Sequence, residues 1–529
     1  VLFGLVAARW VFIHRARWGS IAVGLFGVLA LALALTTVDS TLRERLGTPR
    51  QVSSWNFFHY YLGSKYFAEL GYDGLYEEAL KADEQGRQRF SQVKRYRDMK
   101  TYDTRPAAKV RKAPPRELWT EARWAEFVRD VATIGGLESR GFWLHPLQDR
   151  GYNPPPGWTL LGGTLAKLTD PRNPLQSGVL MCVDPGLLLL AFWLSARTYG
   201  VFRSLVALLG MILWVGSYRL FGGKLVQYDW LAALWASLCC MRREQWFWAG
   251  ALAAYATSVR VFPGGLMLGA FAGAVFEAYR QRRLSGPLVR LFGGGAAVLL
   301  ALVLLSSVTS GRGLSAWSEF AEKSSVHQFE HKFNETRIGL PYLSTSSIET
   351  GFGNDVGRSL REANYEDNRG ARWLVQGLLL VLVLLAARRS DLHDAALLGL
   401  VLVFAFAVSS RYYGALYGLL LLRGAVAIPR APPGASERFM VSLRRAFTSA
   451  SGWRVSWLDL GFFLVLAVSY VQVMLGADTR PLYMASNVAL LTYLLVMLVS
   501  QIRGGRVDEP TSQRERATGA SADASGVPA

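Results

Sequence analysis

The stretch that decides the fold reads Asp149-Arg150-Gly151-Tyr152-Asn153-Pro154-Pro155-Pro156-Gly157-Trp158-Thr159-Leu160-Leu161-Gly162-Gly163-Thr164-Leu165-Ala166-Lys167-Leu168. Three successive prolines fix φ and remove backbone donors, so they oppose helix and set a rigid, extended entry. The apolar run behind them, residues 158–168, is eleven residues long. A helix needs about 20 residues to cross a ~30 Å hydrocarbon core. The run therefore reads as a re-entrant or interfacial helix that stops short of crossing.

Elsewhere the apolar residues fall in longer blocks. The 51% hydrophobic content decides nothing by itself, since a soluble chain is about half apolar too. Their distribution decides: 18–36, 287–308, 374–387, 395–408 and 458–475 are apolar all round, whereas a surface helix carries one apolar stripe. The expectation is an all-α polytopic membrane protein. Its spans are placed at 18–36, 177–195, 201–217, 228–241, 245–260, 263–279, 287–308, 371–387, 393–409, 411–427, 456–475 and 482–501, twelve in all. No repeat of 20–50 residues is visible.

Charge sets the orientation. Arginines cluster at 9/15/17, 197/203, 242/243, 280/282/283, 388/389, 438/444/445/454 and 503/506. One topology puts all of them in the cytoplasm, provided 158–168 does not cross; a crossing there would flip every later cluster outside, against the positive-inside rule. The same rule accounts for the net charge of +19 and the pI near 10 without invoking nucleic acid. Cys182, Cys239 and Cys240 all lie in apolar blocks, so no disulfide framework and no CxxC metal knuckle is present.

The expected organisation follows. Residues 1–17 are a cytoplasmic N-terminus that begins with Val1. The basic run and 18–36 look like a signal peptide, but the apolar part exceeds the usual core of about 7–15 residues, so it is read as an uncleaved first helix. A transmembrane module, 18–427, carries two large outer loops, 38–157 and 309–370. A basic cytoplasmic linker spans 428–455, a helix pair 456–501, and a disordered cytoplasmic tail 502–529. Loops as long as the first are uncommon without a function. Helical patterning within it appears around 55–70 and 118–131. The setting is a bacterial inner membrane, with both termini inside.

Several charges sit at expected outer helix ends: Arg219, Lys224, Asp229, Arg260, Arg411 and Arg480. An ionisable group in the membrane costs about 2.5–3.5 kcal/mol and is usually paired or functional. Each cation alone also fits a side chain snorkelling to headgroups. Together they suit an anion at the interface, such as a lipid phosphate. The first loop is dense in aromatics, Trp55-Asn56-Phe57-Phe58-His59-Tyr60-Tyr61 and then Gly71-Tyr72-Asp73-Gly74-Leu75-Tyr76. Such residues form interfacial belts, or face sugars and prenyl chains. In the second loop His327 and His331 lie four apart, one face of a helix. That spacing fits a metal pair, a donor-contacting pair or a solvated face, and no HExxH is formed.

These features resemble the C-type glycosyltransferase superfamily (GT-C): a basic N-terminus, one helix, a large outer loop opening with Asp39, a Tyr-x-Pro-Pro element and a short non-crossing helix. The segment 56–61 followed by 71–76 is similar to the Asp-x-x-x-Tyr-Tyr … Gly-x-x-x-Tyr pattern of glycosyltransferase family 87, the polyprenyl-phosphate-mannose-dependent mannosyltransferases. Tyr152-Asn153-Pro154-Pro155 resembles their Tyr-Pro-Pro element. The resemblance covers roughly residues 1–427. It implies transfer of a sugar from a polyprenyl-phosphate donor to an acceptor hydroxyl on a glycan, lipid or protein, at the outer face. No cofactor is required, although a divalent metal is compatible.

Asn56 stands where that family carries a loop carboxylate, and an amide cannot be a general base. Asp39 and His59 are the nearby candidates for the base. Arg260 and Arg411 are the candidates for the lipid phosphate, with Lys224, Asp229, Tyr152, Asn153, His327 and His331 as further substrate contacts. Two other classes stay open: a lipid or polysaccharide transporter, for which inverted repeats would speak, and a non-catalytic membrane assembly protein.

Overall fold

Residues expected as the first outer loop build a folded layer of their own. Ser54–Asn56, Phe57–Tyr61 and Leu62–Lys65 follow one another without a break, and the middle turn is π-helical. One-turn π-bulges are frequent at functional sites. Helices α1 (Leu75–Gln85) and α2 (Glu121–Gly135) pack on each other. Thr120 starts α2 by accepting the Arg123 N–H at 3.3 Å. Strands β1 (Arg95–Arg97) and β2 (Thr104–Pro106) pair antiparallel, Tyr96 opposite Arg105. This is a computed structural model; it describes residues 52–214, 223–334, 336–353, 355–427, 456–474 and 480–504. The expected first span at 18–36, Asp39, Arg219, the linker 428–455 and residues 505–529 lie outside the described residues.

The aromatic run does not form an interfacial belt. Phe58 is fully buried against Tyr76, Phe90 and Trp143, with ring centroids 6.0, 5.7 and 5.3 Å away. Burying rings in a core stabilises by roughly 1.5–3 kcal/mol each. The layer needs these rings to hold itself together, and within 54–67 only Trp55 is exposed.

Helix α3 (Pro156–Leu168) is the short helix expected behind the prolines. Pro155 is extended, φ −60° and ψ 158°, and Pro156 is the first helical residue, where the missing N–H costs nothing. The third proline thus starts the helix instead of opposing it. Gly157 lets α3 seat on the bundle, because a Cβ there would lie 2.6 Å from the Ser258 carbonyl oxygen.

The bundle comprises α4 (Pro174–Tyr199), α5 (Val201–Ile212), α6 (Asp229–Arg242), α7 (Trp246–Val259), α8 (Gly264–Gln281) and α9 (Gly286–Thr309), then α10 (Ser315–His331), α11 (Arg358–Asp367), α12 (Arg369–Arg388), α13 (Leu392–Leu398), α14 (Leu400–Phe406), a 3₁₀ segment Arg411–Leu422, α15 (Trp457–Met474) and α16 (Arg480–Arg503). Four of these, α4, α9, α12 and α16, are long and apolar enough to cross a membrane. The twelve expected spans are thus met in part among the described residues, and two of them also differ in form. The one at 393–409 divides into α13 and α14 at Gly399, and the one at 411–427 winds as 3₁₀ helix over Arg411–Leu422. At the division the backbones nearly touch: a Cβ on Gly399 would lie 2.0 Å from the Gly265 carbonyl oxygen of α8. Small residues permit that approach between apolar helices. A second antiparallel ribbon, β3 (Arg337–Ile338) with β4 (Ser409–Ser410), ties the second loop region to the segment after α14.

Candidate functional site

The turn 223–228 is the first part of the site to consider. Three side chains from distant places hold its backbone. Asn56 Oδ1 accepts the Leu225 N–H at 2.8 Å, Trp158 Nε1 donates to Val226 O at 3.0 Å, and the buried Asp184 carboxylate accepts the Gln227 and Tyr228 N–H groups at 2.8 and 2.9 Å. They hold Val226 at φ +41°, a sparsely populated region for a β-branched residue that persists only where the surroundings over-determine it. The result turns Lys224 and Gln227 onto the wall of one cavity of about 1610 Å³ between the loop layer and the bundle. Ligand pockets of roughly 300–1,000 Å³ serve single drug-sized molecules, so this space exceeds what one such molecule fills.

The cavity has two unlike ends. At one end Val261, Phe262, Met267 and Leu268 of the α7–α8 region face Leu380 of α12 and Leu402, Val403 and Phe406 of α14. Val261, Leu268 and Phe406 are each more than half exposed, so this apolar part of the wall is open to the exterior. At the other end five cations, Arg150, Lys224, Arg260, Arg337 and Arg411, line the wall against two carboxylates, Glu138 and Asp149.

Arg260 sits where the two ends meet. It caps α7 in extended conformation, is buried, and lies against the rings of Trp158 and Tyr60, 5.4 and 5.8 Å from their centroids. Its Nη1 donates to Val259 O at 2.8 Å. Asp229, at the start of α6, contributes to the electrostatic environment of Arg260, and its Oδ2 accepts from Tyr255 at 2.7 Å. Arg411 opens the 3₁₀ segment directly after β4, and Arg337 reaches the same wall from β3. Arg150 donates through Nη2 to Asn334 Oδ1 at 2.6 Å. Of the carboxylates, Asp149 accepts from Trp55 Nε1 at 3.0 Å and Glu138 from Ser54 Oγ at 2.8 Å.

Six residues singled out from the sequence line this one cavity: His59, Asn153, Lys224, Arg260, His327 and Arg411. Tyr152 and Asp229 do not. The Tyr152 ring is buried behind the wall with its hydroxyl 2.6 Å from Thr159 Oγ1. Arg480 is buried elsewhere, donating to Thr345 and Ser346. Asp39 and the His331 side chain lie outside the described residues.

His59 is on the wall, but both ring nitrogens are engaged. Nδ1 is 2.8 Å from Trp55 O, to which it must donate, and Nε2 is 2.7 Å from Tyr76 Oη. Burial lowers its pKa, against the pull of Asp149. A neutral ring locked at both ends positions the π-helical turn; it is poorly placed to take a proton from a substrate. His327 is pushed down to about 3 by burial and then by Arg150, Arg337 and Lys323, so it too is neutral. Arg337 itself is lowered to about 10, by burial and then by Arg150.

Asp149, Glu138, Arg150 and Arg337 were missed as site residues. The first and third sit immediately before Gly151-Tyr152-Asn153 and were open to notice on that ground. Glu138 and Arg337 carry no local signal, since only long-range packing brings them here. Among the described residues one group has metal-ligand character, Asp391, His393 and Asp394. It lies away from the cavity, and the Arg242 guanidinium already engages it, 2.7 Å from His393 Nδ1 and 2.9 Å from Asp394 Oδ1.

No protein-family model, curated protein or solved structure matches this chain.

Proposed function

We propose that the protein is a membrane glycosyltransferase, moving a sugar from a polyprenyl-phosphate donor to an acceptor hydroxyl at the outer face of the membrane. The observation that carries this reading is the joining of an open apolar groove to a cation-rich chamber in one cavity, with Arg260 between Val261 of the groove and the other cations. A lipid-linked donor has that same order of parts: prenyl chain, phosphate, sugar. In this reading the chain has twelve spans with both termini inside, α3 stops at the interface, and the loop layer lies outside.

The groove between α8, α12 and α14 receives the first prenyl units. Arg260 and Arg411 bind the phosphate. Asp149 takes the acceptor proton as the hydroxyl oxygen attacks the anomeric carbon. The bond between that carbon and the phosphate oxygen breaks, its electron pair stays on the phosphate, and the two guanidiniums stabilise the charge that develops there. The polyprenyl phosphate then leaves by the groove. Asp149 is preferred as base because it is a carboxylate on the cavity wall with a single recorded hydrogen bond among the described residues.

The test is transfer from a radiolabelled prenyl-phosphate sugar by the purified full chain in detergent. Activity in the wild type that falls at least tenfold in Arg260→Gln is expected. Lipid movement across vesicles without any transfer would favour the transporter instead.

A further inference from the structure

Arg260 and Arg411 account for one phosphate. The outer part of the chamber holds more positive charge than that phosphate uses. Arg150 and Arg337 both line it, and Arg150 is the charge that acts most strongly on Arg337. Asn334 lies between them in the chain path and accepts from Arg150 at 2.6 Å. Neither arginine forms an ion pair with a described carboxylate. Of the two carboxylates on the wall, Asp149 is the one that acts on both arginines, and it accepts from Trp55. Glu330 also faces Arg150 but is paired with Arg358 at 2.9 Å. Arg97 and Lys323 add further positive charge on this side.

Two guanidiniums at close quarters repel in a partly buried setting, and buried donors without acceptors are costly. Arg150 Nε, Arg337 Nε and Asn334 Nδ2 are all buried donors with no hydrogen-bond partner among the described residues. One corner of the chamber therefore carries surplus positive charge from Arg150 and Arg337, with three unmet donors buried in and behind its wall. A tetrahedral oxyanion answers that charge, because guanidinium forks bind phosphoryl oxygens bidentately.

We infer that Arg150 and Arg337, with Asn334 holding Arg150 from behind the wall, form a second phosphoryl-binding site, separate from the one at Arg260 and Arg411, for a phosphate carried by one of the two substrates. The site rests on reading the cavity as a substrate chamber, but not on which reaction occurs there. The phosphoryl group has two possible sources: the outer phosphate of a diphosphate-linked donor, or a phosphate on the acceptor.

The experiment uses the purified full chain saturated with farnesyl phosphate, which fills the lipid end. Inorganic phosphate is then titrated calorimetrically against chloride at equal ionic strength. Saturable phosphate binding is expected, weakened at least tenfold in Arg150→Gln and Arg337→Gln. Asn334→Asp is a near-isosteric third variant that replaces a donor by a negative acceptor, and it should abolish binding even if an arginine variant folds poorly. Farnesyl diphosphate is compared with farnesyl phosphate in a second arm. A tenfold preference for the diphosphate that disappears in Arg337→Gln places the phosphoryl group on the donor; equal affinities place it on the acceptor. No uptake beyond chloride, or equal affinity in the wild type and folded variants, overturns the site. Sugar transfer is not read at any step, so this result and the transfer test fail independently.

Discussion

Arg337 and Ser410 face each other across a two-residue antiparallel ladder, with Ile338 opposite Ser409 beside them. The ladder brings a cation from the second loop region next to Arg411, which follows Ser410 in the chain. Asn487 of α16 supports it from behind. Its Oδ1 accepts the Gly339 N–H and its Nδ2 donates to Arg337 O, both at 2.8 Å, and the side chain is 1% exposed. Asn487→Leu leaves two buried backbone groups unsatisfied at about 1–3 kcal/mol each. A loss of about 2–4 kcal/mol in unfolding free energy is expected, read by denaturant titration in detergent. An unchanged midpoint would mean that α16 does not hold the ladder.

Asp149→Asn removes the proposed base while keeping the acceptor that Trp55 uses. General-base loss typically costs about 10²–10⁴-fold, so kcat should fall by at least about 100-fold with little change in KM for the lipid donor. Asp39→Asn is measured beside it. A collapse in Asp39→Asn with full activity in Asp149→Asn would move the base to Asp39.

Arg260→Lys keeps the charge but loses the planar group that lies against Tyr60 and Trp158. Lysine is not equivalent at a stacked, forked site. Donor KM should rise about tenfold, which corresponds to about 1.4 kcal/mol. Full affinity in the lysine variant would show that a point charge suffices and that the stacking is only packing.

The pH dependence of stability follows from His327. Its folded pKa, about 3, lies below the ordinary value of 6.5. Between those values the unfolded chain binds more protons than the folded one, so stability rises with pH through the window and is lost as pH falls below about 6.5. His59 is lowered too and acts with the same sign. Thermal unfolding at pH 7.5 and pH 5.0 should show a larger drop in Tm for the wild type than for His327→Gln. Equal drops would mean that His327 takes up its proton without resisting it.

Local pattern was enough to read much of the architecture. Apolar blocks without a polar face gave helices α4, α9, α12 and α16, and the length of 158–168 marked α3 as a short helix. Those features depend on residues a few positions apart, which is why periodicity and block length reveal them. The aromatic run 55–67 shows where such reasoning ends. Its composition suits a membrane belt and a protein core equally, and only the presence of Phe90 and Trp143 around Phe58 decides for the core.

The cavity belongs wholly to the tertiary structure. His59, Arg260, His327 and Arg411 were each singled out in the sequence, but their shared wall depends on the packing of α7, α10 and the ladder between β3 and β4. Asn56 marks the same divide. In the chain it is a missing carboxylate; in the fold its carbonyl oxygen secures Leu225 and so helps aim Lys224. Side-chain identity is a local property and was legible in the sequence. Which atoms a side chain must satisfy is set by backbone groups more than a hundred residues away, and only folding brings those into reach.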